Sequence, residues 1–265
     1  MNINRFSIVV AAALFAASWV AACDSSSNDT TDVSTDVTQD VIGDVPGDPG
    51  GDVPAPAKAR LRAIHLSPDA PAVDIFANGG MTAAVKNLAF PDGTGYLDLD
   101  AGTYTFDIAP KDAGIGASVL KVKDLPLESG KSYTAVAYDA VASIKALALA
   151  DDYSNLASGK IRLRAVHTAV GVGKVDIWNI PATGDPTPLW TDVDFGMAGA
   201  YLDVPAGAYK IGFDVNKDGT PDIVFQLPDL PAGTVATAFA VKKGADVFLI
   251  AELPDGTTAR IDPAM

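Results

Sequence analysis

The chain has one cysteine, Cys23, and two histidines, His65 and His167. A lone cysteine closes no intramolecular disulfide. Two separated histidines fall short of the roughly three protein ligands of a catalytic zinc. Positive charge is scarce too: 19 Lys and Arg stand against 33 Asp and Glu, a formal net charge of −14. That balance argues against nucleic-acid partners and against electrostatic attachment to anionic lipid, both of which need clustered cations. No Gly-x-Ser-x-Gly elbow, phosphate-cradling loop or Cys–His pair occurs. The leading apolar run, residues 8–22, is shorter than the roughly 20 residues a spanning helix needs.

That run, IVVAAALFAASWVAA behind Arg5, reads as the apolar region of a secretory signal. It ends in VAAC at residues 20–23, which resembles a bacterial lipobox. The resemblance implies cleavage before Cys23, a diacylglycerol on its sulfur and acylation of the new amino group. Residues 1–22 are then a lipoprotein signal peptide, and two or more chains on one residue anchor stably where a single chain does not. An ordinary signal peptide is the rival reading. Lipidation also removes an unpaired thiol from an oxidising compartment. The expected location is the bacterial cell envelope, on the periplasmic face of a membrane or the outer cell surface, with the membrane left open.

Residues 23–58 change character. Asp, Ser, Thr, Val, Pro and Gly dominate, and aspartates recur every fourth residue from Asp32 to Asp52. On a helix these would stack as like charges at i,i+4. Too little apolar surface is present to offset chain entropy. The expectation is a disordered acidic tether with an r.m.s. span on the order of 30 Å, a stalk in preference to a low-affinity cation sponge.

The rest is written twice, at an offset near 100 residues. RLRAIHLSPDAPAVDIF (60–76) returns as RLRAVHTAVGVGKVDIW (162–178), and YLDLDAGTYTFDI (96–108) as YLDVPAGAYKIGF (201–213). Tyr104, Phe106 and Ile108 alternate with Thr103, Thr105 and Asp107, the period of a half-buried strand. AVASIKALALA (140–150) has helical composition, but its counterpart GADVFLIAEL (244–253) is strand-like, so both are assigned to strands. The fold class is all-β: two tandem β-sandwiches, residues 59–154 and 159–265, close together across a short junction. The stretch RLRAIHLSPDAPAVDIFANG, followed by YLDLDAGTYTFDI, resembles the bacterial domain of unknown function 4397. The resemblance implies sandwiches related to immunoglobulin-like or transthyretin-like folds and implies no function. The second copy keeps His167, Val175 and Asp176 but has Thr168-Ala169-Val170-Gly171 in place of Ser67-Pro68-Asp69-Ala70.

Chemistry has few candidates. His65 and His167, at equivalent positions, read as inward imidazoles bonded to the following loop. Asp74 and Asp176 read as surface residues or as local partners of His or Arg. Arg60, Arg62, Arg162 and Arg164 form two basic stripes that could bind an anionic ligand but more simply balance nearby aspartates. Trp178 sits opposite Phe76 in the repeat, which favours core, and a concave patch around Trp178 or Trp190 would indicate sugar binding.

FDVNKDGTPDIVF (213–225) is the sharpest motif. Asp214, Asn216, Asp218 and Asp222 offer side-chain oxygens and Thr220 a carbonyl, the hard-oxygen set calcium takes. The loop resembles that of FG-GAP cell-surface repeats and departs from an EF-hand, since Phe225 stands where the terminal Glu belongs. The equivalent hairpin of the first copy, APKDAGIGASV (109–119), lacks the spacing. An Asx-rich turn is the alternative. Repulsion among three aspartates favours structural Ca²⁺, at Kd on the order of 10⁻⁴ to 10⁻³ M. The whole reads as a non-enzymatic, membrane-anchored binding or adhesion lipoprotein for an envelope protein or polysaccharide. A ligand-free envelope spacer and an envelope glycan hydrolase are the alternatives.

Overall fold

Alternation in the sequence becomes strands from end to end. The computed structural model describes residues 57–253 and 255–264; the expected signal peptide, Cys23 and nearly all of the expected tether lie outside them. The first half contributes β1 (Ala59–Leu66), β2 (Val73–Ala77), β3 (Val85–Leu88), β4 (Leu97–Leu99), β5 (Gly102–Pro110), β6 (Leu120–Leu127), β7 (Ser132–Tyr138) and β8 (Lys145–Asp151). The second contributes β9 (Lys160–His167), β10 (Val175–Asn179), β11 (Thr187–Val193), β12 (Leu202–Pro205), β13 (Lys210–Asp214), β14 (Ile223–Gln226), β15 (Val235–Lys243), β16 (Asp246–Glu252) and β17 (Thr258–Ile261). The ambiguous alanine-rich segment is strand β8, preceded by a 3₁₀ turn at Val141–Ser143. Among the described residues no helix is long and apolar enough to cross a membrane.

Four sheets result. The first half folds into β3-β2-β5-β6 and β4-β1-β7-β8; the second into β11-β10-β13-β14 and β12-β9-β15-β16-β17. In each half the first strand pairs in parallel with the long late strand, β1 with β7 and β9 with β15.

The sheets stack as four layers, and apolar clusters fill the gaps, a smaller one around Ile161, Leu163 and Ala236 lying in the second half. Leu61, Val73, Phe106, Ile108 and Leu125 pack between the first two sheets. Val175, Ile177, Phe213, Phe225 and Leu249 pack between the last two. The middle cluster joins the halves: Ile64, Leu66, Val136, Tyr138 and Leu147 meet Val166, Phe239, Val241, Phe248 and Ile250. The sheets carrying β1 and β9 are therefore covered on both faces.

Side-chain size is partitioned by face. On the two central sheets the residues toward the seam are large, whereas those toward the outer sheets are often alanine. Ala63, Ala135 and Ala148 line one interior, and Ala165, Ala238 and Ala251 the other. Small apolar cavities remain there, about 80 Å³ in the first sandwich and about 110 Å³ in the second.

Candidate functional site

The arginine stripes lie in the seam. Arg62 and Arg164 point from β1 and β9 toward the opposite half, and both are buried. Arg62 donates to Thr134 Oγ1 at 2.9 Å on its own sheet and to the carbonyl of Leu253 at 2.5 Å across the seam. Arg164 repeats this in the other direction, donating to Thr237 Oγ1 at 3.0 Å and to the Ala150 carbonyl at 2.8 Å. Asp151 is the hub. Its carboxylate accepts from Arg164 Nη2 at 2.6 Å, Tyr96 Oη at 2.7 Å and Thr134 Oγ1 at 2.7 Å. Glu252 lies 3.2 Å from Arg62 Nε without a well-aligned hydrogen bond. Both carboxylates have 0% side-chain exposure. Burial pushes the Glu252 carboxyl up to about 7; Arg62 opposes that rise and the neighbouring Asp151 charge adds to it. Tyr96 and Tyr201 cover Arg62 and Arg164 with centroids at 4.7 and 4.5 Å. At the rim Arg162 forks onto Asp203 at 2.7 and 2.8 Å. Arg62, Arg162 and Arg164 lie against carboxylates, whereas Arg60 donates to Ser132 Oγ at 2.8 Å; Arg62 and Arg164 are closed to an outside anion.

Loops cross the seam reciprocally as well. Phe90 from the first half packs edge-on against Phe248, and Phe195 from the second against Tyr138. Gly196, at φ 80°, lies so close that a Cβ there would collide with the Tyr138 ring.

Each histidine is fixed by backbone. His65 Nε2 meets the Pro71 carbonyl at 3.1 Å and its Nδ1 faces the Ser67 N–H at 3.4 Å. His167 does the same with Gly173 at 2.8 Å and Ala169 at 3.3 Å. Burial lowers both imidazole pKa values, and neither ring has a carboxylate partner in hydrogen-bond reach among the described residues.

Asp74 and Asp176 differ from expectation. They bind neither His nor Arg; each clamps two loops that leave its sheet. Asp74 accepts the N–H of Asn87 at 2.8 Å and of Asp112 at 2.9 Å. Those two hydrogen bonds hold its carboxyl below the usual range. Asp176 accepts the N–H of Asp192 at 2.7 Å and lies 3.6 Å from Lys217 Nζ. Asn87, Asp112, Asp192 and Lys217 all have positive φ, between 54° and 63°. Equivalent aspartates thus hold equivalent left-handed turns. The recurring Val-Asp-Ile pattern was visible in the sequence, but the turns it would bind were not.

The 214–222 loop closes on its own amides. Asp214 is buried, and its carboxylate accepts N–H donors from Lys217 at 2.5 Å, Asp218 at 3.3 Å and Gly219 at 2.8 Å. Asp222 accepts from Val215 at 2.8 Å and from Asn216 Nδ2 at 3.1 Å. Asp218 turns back to the Thr220 N–H at 2.9 Å. Lys217 reaches out to Asp192. The crowded aspartates are compensated by backbone dipoles, and among the described residues no three His, Cys, Asp or Glu side chains gather as a metal cage.

Trp190 is engaged inward: it donates to the Ala200 carbonyl at 2.7 Å and lines the second sandwich's cavity. A concavity larger than either sandwich cavity lies elsewhere, a groove of about 670 Å³ between β6 and β8. Sequence reading missed it, because two strand edges become neighbours only through the sandwich topology.

Residues 59–178 match the family model described as Domain of unknown function (DUF4397). The match runs through the first two sheets and into β10. No curated protein matches the chain. Among solved structures, the streptococcal virulence factor in "Alpha-glucan binding by a streptococcal virulence factor" is similar at 15% identity and TM-score 0.23, over 68% of this chain and 92% of that one. A fimbrial assembly protein from Parabacteroides distasonis is similar at 10% identity and TM-score 0.25, over 78% of this chain and 100% of that one. Likenesses this distant carry no argument about what the chain does.

Proposed function

We propose that the chain is a non-enzymatic lipoprotein of the bacterial envelope, anchored through Cys23, that presents two joined β-sandwiches to a protein or polysaccharide partner. The observation that carries this reading is the fate of the reactive groups. Both histidines, the Asp151–Glu252 neighbourhood and the inner arginines are consumed in holding strands, loops and halves together. A glycan hydrolase needs two carboxylates roughly 5–10 Å apart in a cleft, whereas these two are sealed in the seam. The groove beside β6, within the size range of ligand sites, favours a binder over a ligand-free spacer.

The test is retention on the immobilised full chain, in detergent, of purified envelope proteins and glycans. Saturable capture of a defined component supports the reading; a chain that retains none is a spacer. Metabolic labelling with an alkyne fatty acid should mark the wild type and leave Cys23→Ser unlabelled. Calcium at Asp214, Asn216, Asp218, Thr220 and Asp222 stays within the proposal. An ion would have to draw Asp218 and Asp222 from their amide partners, which fits modest affinity. A melting temperature equal in EDTA and in millimolar calcium would remove it.

A further inference from the structure

Both strands flanking the groove are sheet edges: β6 has only β5 as a hydrogen-bonding neighbour, and β8 only β7. One wall is made of consecutive residues, Ser118 through Lys123, and the other of Ile144, Lys145 and Ala146. Consecutive strand residues point to opposite faces. A wall built from all of them is therefore a backbone edge, with the unpaired N–H and C=O groups on which another strand can form. The floor is apolar, with Val119 46% exposed. The rim is cationic in a chain of net charge −14. Lys121 pairs with Asp107 at 2.9 Å and Lys145 with Asp139 at 2.9 Å, each lysine remaining about half exposed. Lys123 has no carboxylate in ion-pair reach among the described residues. Asp124, at φ 54°, ends the regular edge beside a register shift, leaving about five residues, or ~17 Å, of usable strand. No aromatic side chain lines the groove, so it lacks the stacking surface a sugar would use.

We infer that, within the binding role proposed above, this groove captures an extended peptide strand of alternating acidic and apolar residues, paired to the free edge of β6. Main-chain hydrogen bonds would hold such a strand, its apolar side chains would meet Val119, Val122 and Ile144, and its carboxylates would meet the lysine rim. Lysines on a strand edge repel edges of like charge, and the same charges select an acidic partner.

The probes are three fluorescent eight-residue peptides titrated into the full chain: alternating Val-Asp, alternating Val-Lys, and Val-Asp with every second amide N-methylated. Oligogalacturonate serves as an anionic sugar. Saturable binding of Val-Asp alone is expected, weakened at least about tenfold in Lys123→Glu and lost on N-methylation. Backbone amides of β6 should gain hydrogen-exchange protection. Equal affinity of Val-Asp for wild type and Lys123→Glu, retention by the N-methylated peptide, or binding of oligogalacturonate but not Val-Asp would overturn the assignment. Lys123 lies at the surface, and unchanged circular dichroism verifies that Lys123→Glu folds. An envelope component captured equally by both chains would leave the binding role standing and place it away from this groove.

Discussion

The seam and the two sandwich interiors are made from opposite faces of the same strands, and they are packed differently. Toward the seam β7 presents Thr134, Val136 and Tyr138; toward its own outer sheet it presents Tyr133, Ala135 and Ala137. Across the seam β15 and β16 present Phe239, Val241, Phe248 and Ile250, all at most 2% exposed. Their other faces carry Ala236, Ala238 and Ala251 beside a cavity of about 110 Å³. Full burial of a side chain such as Phe239 contributes about 1.5–3 kcal/mol. Splitting the halves would return that surface to water and leave Arg62, Asp151, Arg164 and Glu252 without their cross-seam partners. The halves are thus not beads on a string. Each spends its bulk on the contact with the other.

Removing the hub should break this arrangement most severely. Asp151→Asn leaves Arg164 buried beside a neutral group and should cost about 3–5 kcal/mol, read as a lowered urea midpoint at unchanged slope. Next is a core truncation on the seam face: Leu147, 3% exposed, should cost about 3–4 kcal/mol as Leu147→Ala.

Glu252 sharpens the comparison through pH. Its carboxyl is raised from 4.5 to about 7 in the folded chain, so between those values the folded state holds more of this proton than the unfolded state. Its contribution is fully present below pH 4.5 and is lost as pH rises through about 7, on the order of 3 kcal/mol in total. Glu252→Gln should flatten that slope, and stability measured at pH 5, 6, 7 and 8 checks it. The smallest effect lies on the opposite face. Ala135→Val adds volume toward the 80 Å³ cavity and should change stability by less than about 1 kcal/mol, in the stabilising direction. A cost as large as that of Leu147→Ala would mean the interiors are as tight as the seam.

Much of this fold was legible. Period-two alternation located the strands, and the repeat pointed to a strand within residues 140–150, which holds from Lys145 onward, while Val141–Ser143 forms a 3₁₀ turn. The seam was not legible, for a physical reason. Arg60, Arg62, Arg162 and Arg164 alternate with apolar residues, so β1 and β9 read as strands with one wet face. Ion pairs with Asp151, Glu252, Asp152 and Asp203 make that face buriable. A signal was nonetheless present. VATAFAV and DVFLIAE are nearly continuous apolar runs, the mark of strands covered on both sides. For the 214–222 loop the sequence left two ways to offset the crowded carboxylates, an ion or an Asx-rich turn; the turn's own N–H groups do reach Asp214 and Asp222, a placement of backbone atoms that spacing alone does not display. The Asp74 and Asp176 clamps were hidden because three of their four partner contacts come from backbone N–H groups, which no side-chain pattern displays.

Scanning calorimetry of the full chain tests most directly whether the halves form one unit. A single transition with a calorimetric-to-van't Hoff enthalpy ratio near 1 is predicted. Two resolved transitions, or a ratio near 2, would contradict the account and return the molecule to two independent sandwiches.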